Sequence, residues 1–170
     1  SYIIFHSERL DGKWTQPEAL QLFPDPNIIS TAVDMSLTQD GMTMYFLGEY
    51  PDGDSTNLSS DIYRSQKVDG KWQLASKVPY PISTDEYTES YPLVVADGSL
   101  YFESDRPGGI GKQDVYRAQY LGDGKFETPV SIGPVVNCEM GSGDTYVAPD
   151  ESFLICNSRR IDQPGLYVSF

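Results

Sequence analysis

Histidine occurs once in this 170-residue chain, at His6, and cysteine only twice, at Cys138 and Cys156. One histidine excludes histidine-rich metal sites and any histidine relay away from position 6. His6 and Ser7 are neighbours on a predicted strand and face opposite sides, so they cannot pair as base and nucleophile. Two cysteines permit at most one internal bridge and fix no redox compartment. A disulfide and two buried free thiols both stay open. Basic residues are also scarce, 12 Lys and Arg against 25 Asp and Glu, for a formal net charge of −13. Such a surface repels phosphate backbones and anionic membranes, whereas cations and neutral or basic ligands remain acceptable partners. No apolar run approaches the roughly 18 residues of a spanning helix. No Gly-x-Ser-x-Gly elbow occurs. No charged-then-apolar leader stands at Ser1, and the chain opens in mid-phrase, which reads as a mature or trimmed product.

What the chain does have is repetition. Phe5-His6-Ser7-Glu8-Arg9-Leu10-Asp11-Gly12-Lys13-Trp14 returns as Tyr63-Arg64-Ser65-Gln66-Lys67-Val68-Asp69-Gly70-Lys71-Trp72. With one extra Gly it returns again, from Tyr116 to Phe126. The spacing is 58 residues from Phe5 to Tyr63 and 53 from Tyr63 to Tyr116, which lies in the range of solenoids, propellers and arrays. Units of this kind bury their apolar faces by stacking on their neighbours.

A second phrase interleaves with the first. Asp40-Gly41, Asp97-Gly98 and Asp150-Glu151 each precede a short aromatic and β-branched run, the pattern of a hairpin. A third element follows at Asp61-Ile62-Tyr63, Asp114-Val115-Tyr116 and Gly165-Leu166-Tyr167. Sustained 3.6-residue periodicity is absent and Gly and Pro recur every few residues, so helix content should be very low. The expected fold is all-β, in units of four antiparallel strands. The middle unit is placed at about 87–95, 99–104, 114–120 and 125–130. The chain then divides as one segment: 1–20 ends one unit, 30–80 and 85–132 are whole units, and 140–170 is an incomplete one. Four antiparallel strands repeated at this interval predict β-propeller blades, roughly three of them.

The segment from Asp97-Gly98-Ser99-Leu100-Tyr101-Phe102 through Ser104-Asp105-Arg106-Pro107-Gly108-Gly109 to Asp114-Val115-Tyr116, with Asp40-Gly41 and Pro149-Asp150, resembles the WD40-like PD40 repeat. That repeat belongs to TolB-like propellers and to OmpA-associated bacterial envelope proteins. The first unit departs from it with Gly48-Glu49-Tyr50-Pro51-Asp52-Gly53-Asp54, and the third with Ser158-Arg159-Arg160. The resemblance implies a periplasmic or extracellular location and a peptide, protein or glycan docking at the channel mouth. Propellers close with typically 4–8 blades. Three blades would thus be about half of a six-bladed ring, or a ring completed by self-association.

In such blades the strand ahead of the Asp-Gly turn is the innermost and lines the channel. It carries Asp34, Glu89 and Asp144 at even distances ahead of the turn, six, eight and six residues. With side chains alternating faces, the three carboxylates are expected on one face near the channel mouth. Tyr87 and Tyr91 flank Glu89, and an aromatic beside a carboxylate suits a sugar or peptide. The set Asp34, Tyr87, Glu89, Tyr91 and Asp144 is therefore the expected ligand site of a non-catalytic binding scaffold. The same three acids would serve a glycoside hydrolase or lyase as an acid and base pair, if two of them flank a bond at about 5–9.5 Å. No cofactor is expected, calcium aside. Asp52 and Asp54, in the loop to Asn57, alternate oxygen ligands as a calcium loop does but lack its full spacing. A solvated loop is the better reading there. Asn57-Leu58-Ser59 is formally a glycosylation sequon. Gly108 to Lys112 is not a phosphate loop, because Arg106 and Gln113 stand where Gly and Ser or Thr are needed. Asp105 or Asp114 is instead expected to hold that loop by accepting from Arg106 or from loop amides. Trp14, Trp72 and Phe126 share one repeat position and are expected to pack between units.

Overall fold

In the computed structural model, residues 2–25, 30–50 and 60–170 are described. Asp52, Asp54 and Asn57 lie outside them. The described residues form eighteen β-strands and no helix. The chain opens with β1 (Phe5–His6), β2 (Arg9–Leu10), β3 (Lys13–Trp14) and β4 (Glu18–Ala19). β1 pairs with β4, and β2 with β3 in a hairpin turned by Asp11-Gly12. A first large sheet contains β5 (Thr31–Leu37), β6 (Thr43–Glu49), β7 (Asp61–Val68), β8 (Lys71–Trp72) and β9 (Ser76–Lys77). The second contains β10 (Glu89–Val94), β11 (Leu100–Ser104) and β12 (Asp114–Ala118). The hairpin β13 (Tyr120–Gly122) and β14 (Lys125–Phe126) follows, before the sheet's edge strand β15 (Val130–Ser131). The third contains β16 (Ser142–Val147), β17 (Leu154–Ser158) and β18 (Gly165–Ser169). All pairings between these strands are antiparallel.

The Asp-Gly phrases behave as their chemistry requires. Asp40 Oδ1 accepts from the Met42 N–H at 2.9 Å, Asp97 Oδ1 from Ser99 at 2.8 Å and Asp150 Oδ1 from Ser152 at 3.1 Å. Each aspartate thereby closes its own turn and holds the two strands in register. The thrice-written outer phrase differs from the expected fourth strand. Its Asp-Gly-Lys turn closes a short hairpin, β7 with β8 and β13 with β14, and a further short strand a few residues later, β9 or β15, pairs with the body of β7 or β12.

Alternation along the second strand of each sheet divides its side chains between two cores. In β6, Met44 and Phe46 join Ile4, Leu22, Phe23 and Tyr63 beside the opening segment, while Tyr45 faces the other way. In β11, Leu100 and Phe102 meet Tyr45, Ile62 and Val78 of the first sheet; Tyr101 turns to Val147 and Cys156 of the third. The first and second sheets are thus buried on both faces, as period-two side chains allow, whereas the third is covered on one face and leaves Leu166 and Val168 exposed. Phe126 lies edge-on to Tyr45 of the preceding sheet at 6.3 Å, and Trp72 packs against the first core. Trp14, by contrast, is 72 % exposed, because no described sheet lies against its hairpin.

The loop Arg106–Asp114 rivets the second sheet to the third. Asp114 Oδ2 accepts from the N–H groups of Ile110 and Gly111, at 2.5 and 2.8 Å, while Gln113 accepts from the Ser142 N–H at 3.1 Å. Arg106 does not pair with either aspartate but with Glu89. A methyl group on Gly111 would lie 2.1 Å from the Cys138 carbonyl oxygen. Backbone cannot yield as a side chain can, so Gly111→Ala is expected to lower stability by about 1–3 kcal/mol. The midpoint of urea unfolding measures it.

Candidate functional site

The first strands of the three sheets, β5, β10 and β16, adjoin one another. Each is interrupted by a bulge at the same place, between Val33 and Ser36, Ser90 and Leu93, and Gly143 and Tyr146. At each bulge one residue takes the left-handed conformation: Asp34 with φ 53°, Tyr91 with φ 49° and Asp144 with φ 49°. Aspartate tolerates that region because its short side chain can bond locally, whereas tyrosine adopts it at a cost of about 1–2 kcal/mol. Bulges re-aim side chains and concentrate beside functional sites. Here the three re-aimed residues line one groove of about 460 Å³, with Met35, Ser36, Leu37, Pro92 and Tyr146 among its walls. The Ser36 hydroxyl accepts from the Val94 N–H at 3.0 Å and ties two of the walls together.

Three of the five expected ligand residues are therefore gathered, and two are not. Asp34, Tyr91 and Asp144 meet in the groove. Tyr87 sits in the turn ahead of β10, its N–H donating to the Thr84 hydroxyl at 3.2 Å, and does not line the groove. Glu89 is wholly buried, 0 % exposed. Its carboxylate accepts from the Thr84 N–H and hydroxyl, both at 3.0 Å, and from Arg106 Nη2 at 2.9 Å. The bulge accounts for the difference. It inserts a residue between Glu89 and the turn, so equal parity in sequence becomes opposite faces in the sheet. The true repeat partner of Asp34 and Asp144 is Tyr91, six residues ahead of Asp97.

A further carboxylate stands behind the groove. Glu103, on β11, is 2 % exposed, and its Oε1 has no hydrogen-bond partner. Burial raises its pKa to about 8, the Asp144 charge adds to the rise, and the backbone N–H groups of Thr145 and Asp144, with Arg159, oppose it. The sequence carries a signal for it: a glutamate inside Leu100-Tyr101-Phe102-Glu103-Ser104, where a strand buried on both faces leaves a carboxylate no exit. Asp34 is also raised, by burial and then by Asp144. Tyr91 is raised by burial and by Asp34, Asp144 and Glu103 in turn. These mutual effects show four ionisable groups sharing one electrostatic neighbourhood.

Cys138 and Cys156 are buried free thiols. The Cys138 thiol donates to the Gly141 carbonyl at 3.1 Å and lies 3.5 Å from the Ser158 hydroxyl. Among the described residues, no group of three or more His, Cys, Asp or Glu is arranged to hold a metal ion.

No family model matches the chain, and no curated protein matches it. Among solved structures it is similar to a puromycin-hydrolyzing peptidase of Mycobacterium tuberculosis, at 13 % identity and a TM-score of 0.40. The likeness covers 89 % of this chain and 34 % of that one, so the chain spans about a third of the length of the structure it matches. Nothing about activity carries over at that level.

Proposed function

We propose that this chain is a non-catalytic binding scaffold whose ligand groove is built by the bulges of β5, β10 and β16. One observation carries the reading: three repeats place a left-handed residue at one register position, and all three line the same groove. Strained backbone recurring at a concave site is what a ligand clamp maintains. The groove's volume lies within the range of small ligand sites. The sheets are read as β-propeller blades of the PD40 type, roughly three of them. On that reading the groove is part of a channel mouth, its ligand a peptide, protein or glycan, and its setting the bacterial periplasm or the extracellular space. The order β10-β11-β12-β15 in the second sheet, and cores shared between sheets adjacent in the chain, support the blade reading.

A hydrolase reading has one observation in its favour, a proton-holding Glu103 beside Asp144. Glu103 is buried away from solvent, however, and Glu89 is consumed by Arg106. Binding is therefore preferred. The test is a peptide and glycan array probed with wild type and the double variant Asp34→Asn, Asp144→Asn. Loss of a ligand class in the folded variant is the expected result. An unchanged array would remove the groove from consideration.

A further inference from the structure

We infer that this chain associates head to tail with a second copy of itself, the opening segment of one copy seated on the outer face of the other's third sheet. The inference is independent of the ligand groove and rests on an interface that the chain makes three times. Tyr2, Ser60 and Gln113 are equivalent residues of the repeat, each three positions ahead of Phe5, Tyr63 or Tyr116. Each carbonyl accepts from the first strand of the sheet that follows: from the Ala32 N–H at 2.9 Å, from Glu89 at 3.0 Å and from Ser142 at 3.1 Å.

The side chains repeat with the backbone. Two residues after each carbonyl stands an aliphatic residue that shares a core with an aromatic of the next unit: Ile4 with Tyr63, Ile62 with Tyr116 and Val115 with Tyr167. The three aliphatic residues are at most 8 % exposed. The same count makes Leu166, directly ahead of Tyr167, the fourth of that series, and Phe5, directly after Ile4, the first of the aromatics. These two are 75 and 56 % exposed. Trp14 repeats the disparity. At its position in the second sheet, Phe126 is buried against Tyr45 of the sheet before, whereas Trp14 lies open. The third sheet holds the matching seat: Ile155, opposite Val168 as Tyr45 is opposite Arg64, is only half-buried.

Leu166 with Ile155 on one side, and Phe5 with Trp14 on the other, are thus the two halves of a contact that the repeat elsewhere completes. They stand at opposite ends of the row of sheets, one on the third sheet and one on the segment that stacks against the first. A second copy supplies to each face the half it mates with, in the geometry already used between neighbouring sheets. Burying exposed apolar side chains of this kind drives association. Because the two halves differ, the contact is heterologous, and its repetition gives a closed ring or an open filament.

Sedimentation of the chain, from micromolar to submillimolar concentration, should give a mass of two chains or more. Trp14→Lys blocks the head and Leu166→Lys the tail. Each places an unpaired charge in the contact and leaves the fold alone, since both side chains are exposed. Each variant by itself should associate at least about thirtyfold more weakly than wild type, the effect of losing a central contact residue. An equimolar mixture of the two should recover association, one intact head meeting one intact tail. Serine at the same positions provides a second pair, used where the circular dichroism of a lysine variant departs from wild type. Monomeric wild type throughout would overturn the inference and assign both faces to other occupants. Wild-type association by either single variant would overturn it as well, because a face that meets its own copy survives loss of the other face. A mixture as monomeric as its components would do the same. An array unchanged by the groove variant bears on the ligand reading alone.

Discussion

Glu89→Ala is expected to unfold this protein rather than to disarm a site. Arg106 is spent entirely on this corner: Nη1 donates to the Pro81 carbonyl at 2.9 Å, Nη2 to Ile82 at 2.5 Å and to Glu89 at 2.9 Å, and Nε to the Ser104 hydroxyl at 3.1 Å. Its guanidinium also lies over Phe102 and Tyr116, at 4.8 and 5.6 Å from the ring centres. Removing Glu89 leaves a largely buried guanidinium without its counter-charge, which costs about 3–5 kcal/mol. For a marginally stable domain that is most of the margin. Urea unfolding of Glu89→Ala and Glu89→Gln measures it. A loss below about 1 kcal/mol would show the pair to be solvated and incidental.

The second large effect belongs to Glu103 and depends on pH. Its pKa is about 8 in the folded chain, against an ordinary value of 4.5. Below pH 4.5 both states hold the proton and the full stability is present. As pH rises toward 8 the unfolded chain ionises while the folded one does not, so stability falls, by about 3 kcal/mol at pH 7 at most. Glu103→Gln keeps the shape of the protonated acid and cannot ionise. It should match wild type near pH 4 and exceed it at pH 7 to 8. The difference between the two curves isolates this residue from Glu89, which burial also raises. Parallel curves across that range would show that Glu103 ionises freely.

Much of this was legible in the residues. The aspartate turns at 40, 97 and 150 announce the hairpins β5–β6, β10–β11 and β16–β17, because aspartate closing its own turn is a local event. All-β character followed from the missing helical period. The acids of the groove were half legible. Counting back from the turn picks out Asp34 and Asp144, but parity alone also picks out Glu89, and parity fails across a bulge. No side chain advertises a bulge in advance: Asp34 and Asp144 suit a left-handed residue, while Tyr91 does not. Glu103 went unread because its consequence depends on β16 and the residue after β17, brought to it from some 40 to 55 positions along the chain.

The backbone at the three bulges asks only that a residue tolerate positive φ, and it leaves the pairing on either side intact. Side chains at positions 34, 91 and 144 can therefore change without disturbing the sheets that hold them. Two aspartates and a tyrosine already occupy equivalent places on one scaffold. On the proposed binding reading, the selectivity of the groove is composed one side chain per repeat, and it can be altered while the shape of the sheets is kept.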